Sequence, residues 1–168
     1  MKIFLIGFMG SGKTSVGKKL AKYLDIEFVD LDHFIEAQAG MSINAIFDGQ
    51  GEQTFRNLEK DALKKLSGKE NAVIATGGGT PCFEDNMNFL NEHGLTIYLK
   101  LEPGALFERL VNAKTDRPLL KNLNDQELKD YLEKKLAERS RIYDLAQHTV
   151  EAAHITNAVK SIHRLLKR

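Results

Sequence analysis

A glycine-rich segment near the start of the chain limits most strongly how this sequence can fold. Residues 7–14 read GFMGSGKT and fit the pattern G-x-x-x-x-G-K-[ST]. An apolar run at 3–6 precedes the segment and a helical pattern follows it. A strand, a glycine loop and a helix N-terminus in this order aim backbone N–H groups at a phosphate. The alternative, a chance turn between strand and helix, does not account for the flanking elements.

The pattern also assigns roles to individual side chains in this segment. Lys13 is predicted to reach the β- and γ-phosphates of ATP, and the hydroxyl of Thr14 is predicted to ligate Mg²⁺. The remaining candidate ATP-binding residues are Gly10, Ser11, Gly12 and Ser15.

Composition narrows the class of protein. The 168 residues, 42% of them apolar, are enough for one α/β domain over 1–168 with one core. Lys and Arg number 24 and Asp and Glu 23, so no global field favours nucleic acid. The single cysteine indicates a reducing compartment, and no apolar run is long enough for a signal peptide or membrane span. We therefore expect a soluble cytoplasmic protein, monomeric, with no nucleic-acid or membrane partner.

Apolar runs alternate with helical patterns along the whole chain, which is typical of a parallel sheet covered on both faces. We predict a central strand at 72–76, where the run is apolar almost throughout. The polar stretch 112–124 is a candidate lid. The predicted strands lie near 2–6, 26–30, 72–76, 95–100 and 148–151, and the predicted helices near 12–23, 32–39, 52–66, 84–92, 103–111, 125–146 and 155–167.

Two carboxylates end the second predicted strand. Asp30 and Asp32 are spaced i, i+2, which sends both side chains to the same side of an extended strand. Ligands of open α/β sheets bind at this edge, so Asp30 is a candidate for Mg²⁺ and Asp32 for a substrate hydroxyl. A helix cap is the alternative role for either residue.

Three glycines, 77–79, follow the predicted strand 72–76 at the same edge. Residues without Cβ let the backbone approach a ligand closely, although a tight turn alone would also explain them.

Three arginines have two interpretations each. Arg139 falls on the apolar stripe of its predicted helix, so it needs either an internal carboxylate or an anionic ligand. Arg56 has Glu52 and Glu59 at helical spacing, which favours a surface ion pair. Arg117 is either an ordinary loop arginine or one that closes over the transferring phosphoryl group.

The motifs taken together resemble the shikimate kinase family from end to end. The resemblance rests on the segments 7–14, 28–32 (FVDLD), 51–56 (GEQTFR), 77–79 (GGG) and 117–120 (RPLL), and on Arg139 with Tyr143. The glycine loop is common to many families, whereas this combination is specific.

The resemblance implies a three-layer P-loop kinase fold with a five-stranded parallel sheet of order 2-3-1-4-5. It implies a substrate-binding segment at about 31–60 and a mobile lid at about 110–124. Asp32 and Arg117, with Lys13, would be catalytic, and Asp30 with Thr14 would serve the metal. The implied shikimate-binding residues are Asp32, Arg56, Gly78, Gly79 and Arg139.

The implied reaction transfers the γ-phosphoryl of ATP to the 3-hydroxyl of shikimate, giving shikimate 3-phosphate and ADP in the biosynthesis of chorismate and aromatic amino acids. The rival interpretations are another small-metabolite kinase of the same fold, acting on gluconate or a nucleoside monophosphate, and a regulatory module that binds ATP without turnover. The set formed by Asp30, Asp32, Arg56 and Arg139 argues against the regulatory module.

Overall fold

Five short parallel strands form one sheet in a computed structural model that describes residues 1–113, 120 and 122–167. The strand order is β2-β3-β1-β4-β5, and every neighbouring pair is parallel. The predicted order is therefore confirmed. The strands are β1 (Lys2–Ile6), β2 (Glu27–Asp30), β3 (Ala72–Ala75), β4 (Leu95–Lys100) and β5 (His148–Glu151).

Helices connect the strands and cover both faces of the sheet. The predicted strand positions agree with the structure to within a residue at each end. Residues 72–75 are an interior strand as predicted, but the central position belongs to β1. The helices are α1 (Lys13–Leu24), α2 (Leu31–Ala39), α3 (Ile43–Ser67), α4 (Asn86–His93), α5 (Pro103–Asn112), α6 (Asp125–Tyr143) and α7 (Ile155–Leu166), and a short 3-10 turn spans Thr80–Cys82.

The core divides into two clusters, one on each face of the sheet. Successive residues of β1 point to opposite faces, so Phe4 and Ile6 join one cluster and Ile3 and Leu5 join the other. The first cluster, which we call the α3/α6 cluster, includes residues from α2 to α6. The second, the α1/α7 cluster, includes Ile162 and other residues of those two helices. A strand covered on both faces explains why β1 is apolar from Ile3 to Ile6.

Two helix boundaries differ from the sequence prediction by more than two residues. Helix α3 begins at Ile43, well before the predicted start at 52, because the Ser42 side chain accepts from the Ala45 N–H and caps an extra segment. Gly51, with φ 83° and ψ 170°, kinks the helix where that segment meets the predicted part. Helix α6 ends at Tyr143 rather than 146, since residues 144–146 form turns.

The predicted lid at about 110–124 cannot be compared as a whole with the structure. Residues 114–119 and 121, and with them Arg117, lie outside the described residues. Of the described residues nearby, Leu120 is fully buried in the α3/α6 cluster. In the described ranges, no helix has the length and apolarity needed to cross a membrane.

Candidate active site

A cleft of about 500 Å³ opens where β1, β2 and β3 end. Its walls come from the loop after β1, the start of α2 and the turn after β3, together with Arg109 of α5 and Ile155 of α7. This is the edge at which open α/β sheets bind ligands. The lining residues are Met9, Gly10, Gly12, Lys13, Thr14, Ser15, Asp30, Asp32, Thr76, Gly77, Gly78, Arg109 and Ile155.

The loop after β1 has the backbone shape that a phosphate cradle needs. Gly12 adopts φ 95° as the N-cap of α1, and no side chain caps that helix. A Cβ at Gly7 would lie 2.8 Å from the backbone oxygen of Leu99, so this position also requires glycine. The N–H groups of the first turn of α1 therefore face the cleft, where they can bind an anion.

Lys13 and Ser11, two polar side chains of the loop, differ in whether they reach the cleft. The ammonium of Lys13 donates to the backbone oxygens of Gly7 at 2.8 Å and Phe8 at 2.9 Å, so it lies over the loop. Ser11 is only 1% exposed, and its hydroxyl has no hydrogen-bond partner among the described residues. Ser11 lies inside the loop and does not line the cleft, whereas Lys13 does.

Asp30 caps a helix, which is one of the two roles that its sequence position left open, and it also contacts the glycine-loop segment. Its Oδ1 accepts from the backbone N–H groups of Asp32 at 3.2 Å and His33 at 3.4 Å, which caps α2. Its Oδ2 accepts from the hydroxyl of Thr14 at 2.9 Å. Asp30 is therefore a helix cap that also faces the phosphate cradle.

The hydroxyl of Thr14 and the carboxylate of Asp30 are hard oxygen donors of the kind Mg²⁺ prefers. Mg²⁺ usually takes one or two protein oxygens, with water and substrate phosphates completing its shell. Across the described ranges, no group of three or more His, Cys, Asp or Glu is arranged to hold a metal ion. The pair thus fits a metal that arrives with a nucleotide rather than one held by protein alone.

Asp32 is a half-buried carboxyl that lines the cleft. Burial raises its pKa from 3.8 to about 6, the charge of Asp30 adds to the rise, and Lys13 opposes it. A Cβ at Gly77 would lie 3.0 Å from the Asp32 Oδ1, so the glycine admits this carboxylate to the turn after β3. With a pKa near 6, Asp32 is mostly ionised at neutral pH and can accept a proton.

Two guanidinium groups meet at the turn after β3. A Cβ at Gly79 would lie 3.4 Å from the Nη2 of Arg56 and 3.7 Å from the Nη2 of Arg139. Arg56 comes from α3 and Arg139 from α6, so the fold brings together cations that are far apart in the chain. Two adjacent cations repel each other unless an anion lies between or beside them.

The two arginines differ in their protein partners. Arg56 pairs with Glu52 at 3.2 Å and with Glu59 at 3.0 Å, which confirms the predicted ion pairs. The Arg56 side chain is nevertheless only 14% exposed, so it is not an ordinary surface residue. No salt bridge links Arg139 to a carboxylate in the part of the chain that the structure describes; its guanidinium carbon lies 5.6 Å from the centre of the Phe8 ring. Of the two partners that the sequence offered for Arg139, the internal carboxylate is therefore not found among the described residues.

Sequence reasoning missed the importance of Glu59, which it named only as an ion-pair partner. Glu59 is 1% exposed and accepts a hydrogen bond of 2.6 Å from the Thr80 hydroxyl while it pairs with Arg56. A signal was present, because Glu59 falls on the buried stripe of α3 with Phe55 and Ala62. A carboxylate on such a stripe needs a cation, and Arg56 is that cation.

Arg109 is a second residue whose place in the site the sequence did not indicate. Its guanidinium donates to the backbone oxygens of Gly10 at 3.1 Å, Ala152 at 3.1 Å and Ala153 at 2.9 Å. These bonds fix the flat cation beside the phosphate cradle, near Ile155.

The comparisons with known proteins agree with this architecture. The family model described as shikimate kinase matches residues 9–168. A shikimate kinase of Phocaeicola vulgatus is 45% identical over 151 residues, covering 90% of this chain and 86% of that protein. One from Bacteroides fragilis strain ATCC 25285 is 40% identical and covers 99% of this chain and 96% of its own.

Solved structures give the same result. The crystal structure of shikimate kinase from Bacteroides thetaiotaomicron matches with a TM-score of 0.95 at 40% identity, covering 100% of this chain and 99% of that one. Shikimate kinase from Acinetobacter baumannii, in complex with shikimate, matches with a TM-score of 0.89 at 34% identity, covering 99% of this chain and 92% of that one. The fold, the phosphate cradle and the similarity over nearly the whole chain lead to one conclusion: this protein belongs to the shikimate kinase family.

Proposed function

We propose that this protein transfers the γ-phosphoryl group of ATP to the 3-hydroxyl of shikimate, giving shikimate 3-phosphate and ADP for chorismate and aromatic amino acid biosynthesis. The observation that carries the proposal is the meeting of Arg56 and Arg139 at Gly79, beside the phosphate cradle. The pair provides a site for a small carboxylate next to a site for a triphosphate.

The nucleotide end of the cleft is assigned to the loop after β1. Backbone N–H groups of residues 10–15 and the Lys13 ammonium would hold the β- and γ-phosphates. The ammonium would then leave the backbone oxygens of Gly7 and Phe8, to which it donates in the structure. Thr14 and Asp30 would hold Mg²⁺, which neutralises charge on the phosphates when bound. Arg117 remains a sequence-based candidate for the same role at the transferring group.

The adenine end is assigned to Arg109 and Ile155. Both line the cleft, and Arg109 lies beside the phosphate cradle through its bond to the Gly10 oxygen. A guanidinium held flat by three backbone oxygens and an aliphatic side chain offer two surfaces on which a purine ring can stack.

The acceptor end is assigned to both arginines, Gly78, Gly79 and Asp32. The guanidinium groups would bind the shikimate carboxylate, which places the ring hydroxyls toward Asp32 and the phosphate cradle. The 3-hydroxyl oxygen attacks the γ-phosphorus, and the bond to the oxygen bridging the β- and γ-phosphorus atoms breaks. The hydroxyl proton passes to the ionised Asp32.

Positioning accounts for most of the rate enhancement in this mechanism. Phosphoryl transfer has a loose transition state, so orientation of the hydroxyl and stabilisation of phosphate charge matter more than a strong base. The modestly raised pKa of Asp32, about 6, fits a group that takes the proton late in the reaction.

The proposal also covers the state of the protein. We propose that residues 1–168 act as one monomeric domain in the cytoplasm, in keeping with one cysteine and a net charge of +1.

A coupled ADP-release assay with Mg²⁺-ATP tests the function directly. Shikimate, gluconate and nucleoside monophosphates are tested as acceptors in parallel. We expect shikimate to be the only one of these acceptors that supports turnover. Turnover with a different acceptor would identify another kinase of this fold. ATP binding without release of ADP on any acceptor would instead indicate a regulatory module.

A further inference from the structure

Tyr143, the last residue of α6, makes a polar contact that the proposed chemistry does not use. Its side chain is fully buried, and its hydroxyl donates to the backbone oxygen of Gly78 at 2.6 Å. The ring packs on Tyr98 of β4, with ring centres 5.1 Å apart. Packing of the ring therefore fixes the hydroxyl, and the hydroxyl in turn fixes the oxygen of Gly78.

The fixed oxygen belongs to the peptide that joins Gly78 to Gly79. A trans peptide is planar, so its C=O and N–H groups point in opposite directions. Holding the Gly78 oxygen toward Tyr143 therefore turns the Gly79 N–H away from it. Within 1–113, 120 and 122–167, no acceptor is found for this N–H. It is a hydrogen-bond donor whose direction is set by the protein and whose partner is not a described protein group.

The same tyrosine is linked to Arg139. The two residues are four apart on α6, so their side chains lie on one face of the helix. Burial raises the pKa of the Tyr143 hydroxyl far above its ordinary value, and the charge of Arg139 opposes the rise. The hydroxyl thus stays protonated and keeps donating. A Cβ at Gly78 would lie 3.5 Å from the Nη1 of Arg139, so the turn and the guanidinium are in close contact.

We propose that Tyr143 is a positioning residue for the acceptor: its bond to the Gly78 oxygen orients the Gly79 N–H and Arg139 toward the same bound carboxylate. The inference rests on the proposed function, because it concerns the same acceptor site. It assigns to one hydroxyl the task of holding a backbone donor and a side-chain donor in one arrangement. Preorganised donors lose less entropy on binding, so the effect should appear in acceptor affinity.

The test compares Tyr143→Phe with Tyr98→Phe. Each change removes one phenolic oxygen from the same buried ring pair. The described structure contains no hydrogen bond from Tyr98 to the glycine turn, which makes it the matched control. We expect Tyr143→Phe to raise KM for shikimate roughly tenfold while KM for ATP and kcat change less than about twofold. Tyr98→Phe should leave all three constants unchanged.

The wild-type arm separates failure of this inference from failure of the proposed function. If the wild-type protein does not phosphorylate shikimate, the proposed function fails and takes the inference with it. If the wild-type protein is active, three outcomes overturn the inference alone. They are an unchanged KM for shikimate in Tyr143→Phe, an equal rise in both KM values, and the same shikimate effect in Tyr98→Phe.

A second measurement needs no variant and covers the case in which Tyr143→Phe does not fold. In the wild-type protein, NMR should show a slowly exchanging Tyr143 hydroxyl proton before shikimate is added. Titration with shikimate should then shift the Gly79 amide resonance, with little change at the amide of Gly104 on α5. A fast-exchanging hydroxyl proton, or a Gly79 amide that does not respond, contradicts the inference.

Discussion

The two ends of the proposed active site, one for the nucleotide and one for the acceptor, are built on opposite plans. The nucleotide end would consist of one continuous segment, residues 7–15, whose backbone would do most of the binding. The acceptor end consists of side chains from α3 and α6 that meet over two glycines after β3. A backbone site is set by local sequence, whereas a side-chain site depends on how distant elements pack. Changes at the first end should therefore abolish the chemistry, and changes at the second should alter acceptor affinity.

The largest effect is expected from Lys13→Ala. Removing the ammonium takes away the charge that stabilises the transferring phosphoryl group, so kcat should fall roughly a thousandfold. The ADP-release assay measures the loss, and calorimetry should show shikimate binding largely retained. Lys18→Ala, on the exposed side of α1, is the control and should retain full activity. A comparable loss of shikimate affinity in Lys13→Ala would mean that the two ends are not separate.

Arg139→Ala should show the reverse behaviour. Losing a charge-assisted contact to the carboxylate, worth about 2–3 kcal/mol, should raise KM for shikimate about a hundredfold and leave KM for ATP nearly unchanged. Steady-state kinetics with each substrate varied in turn gives both constants. Arg141→Ala, exposed on the same helix, should behave as wild type. Equal losses of both affinities would show that Arg139 does not serve the acceptor.

Gly79→Ala tests the acceptor end by shape alone. Gly79 has φ −86° and ψ −16°, which alanine adopts without strain, so the fold should persist. The added methyl would lie 3.4 Å from Arg56 and 3.7 Å from Arg139, and we expect KM for shikimate to rise roughly tenfold. Gly104→Ala meets nothing within 4 Å and serves as the control. Unchanged kinetics in Gly79→Ala would mean that the shikimate carboxylate does not bind beside Gly79.

The last prediction concerns the stability of the fold rather than the kinetics, and it involves Asp32. Its pKa is about 6 in the folded protein and 3.8 when unperturbed, so the folded state binds more protons between those values. Unfolding free energy should therefore fall as the pH rises from 4 to 6. Asp32→Asn removes this cost and should stabilise the protein at pH 7 by on the order of 2 kcal/mol, with little gain at pH 4. Urea unfolding at both pH values gives the difference.

Asp48→Asn, an exposed carboxylate on α3, supplies the baseline for that measurement. A gain for Asp32→Asn that is equal at pH 4 and pH 7 would show that its carboxylate is not desolvated in the folded protein.

The same contrast between the two ends explains what could be predicted from the sequence. The strands and the glycine loop after β1 depend on hydrophobic runs and local glycine spacing, and their positions were predicted closely. The sheet order, in contrast, was implied only by the family resemblance. The first segment of α3 was missed because Gly49 and Gly51 weaken its helical pattern. In the structure, Ser42 caps this segment, and a kink at Gly51 joins it to the rest of the helix. From the residues alone, Arg56 was predicted to form a surface ion pair, because local spacing cannot show that Glu59 is buried or that Gly79 lies beside the guanidinium. Only the family resemblance assigned Arg56 to the acceptor.

The division of the core by the sheet has an evolutionary consequence. Residues of the α1/α7 cluster, such as Ile162, face away from the side that carries Arg56 and Arg139, and no described member of that cluster lines the cleft. Exchanges there are limited mainly by volume and by the stability of the fold. Exchanges in the α3/α6 cluster must in addition preserve the positions of two arginines relative to one glycine turn. We therefore expect sequence drift among relatives to be freer on the α1/α7 side than on the side that holds the acceptor.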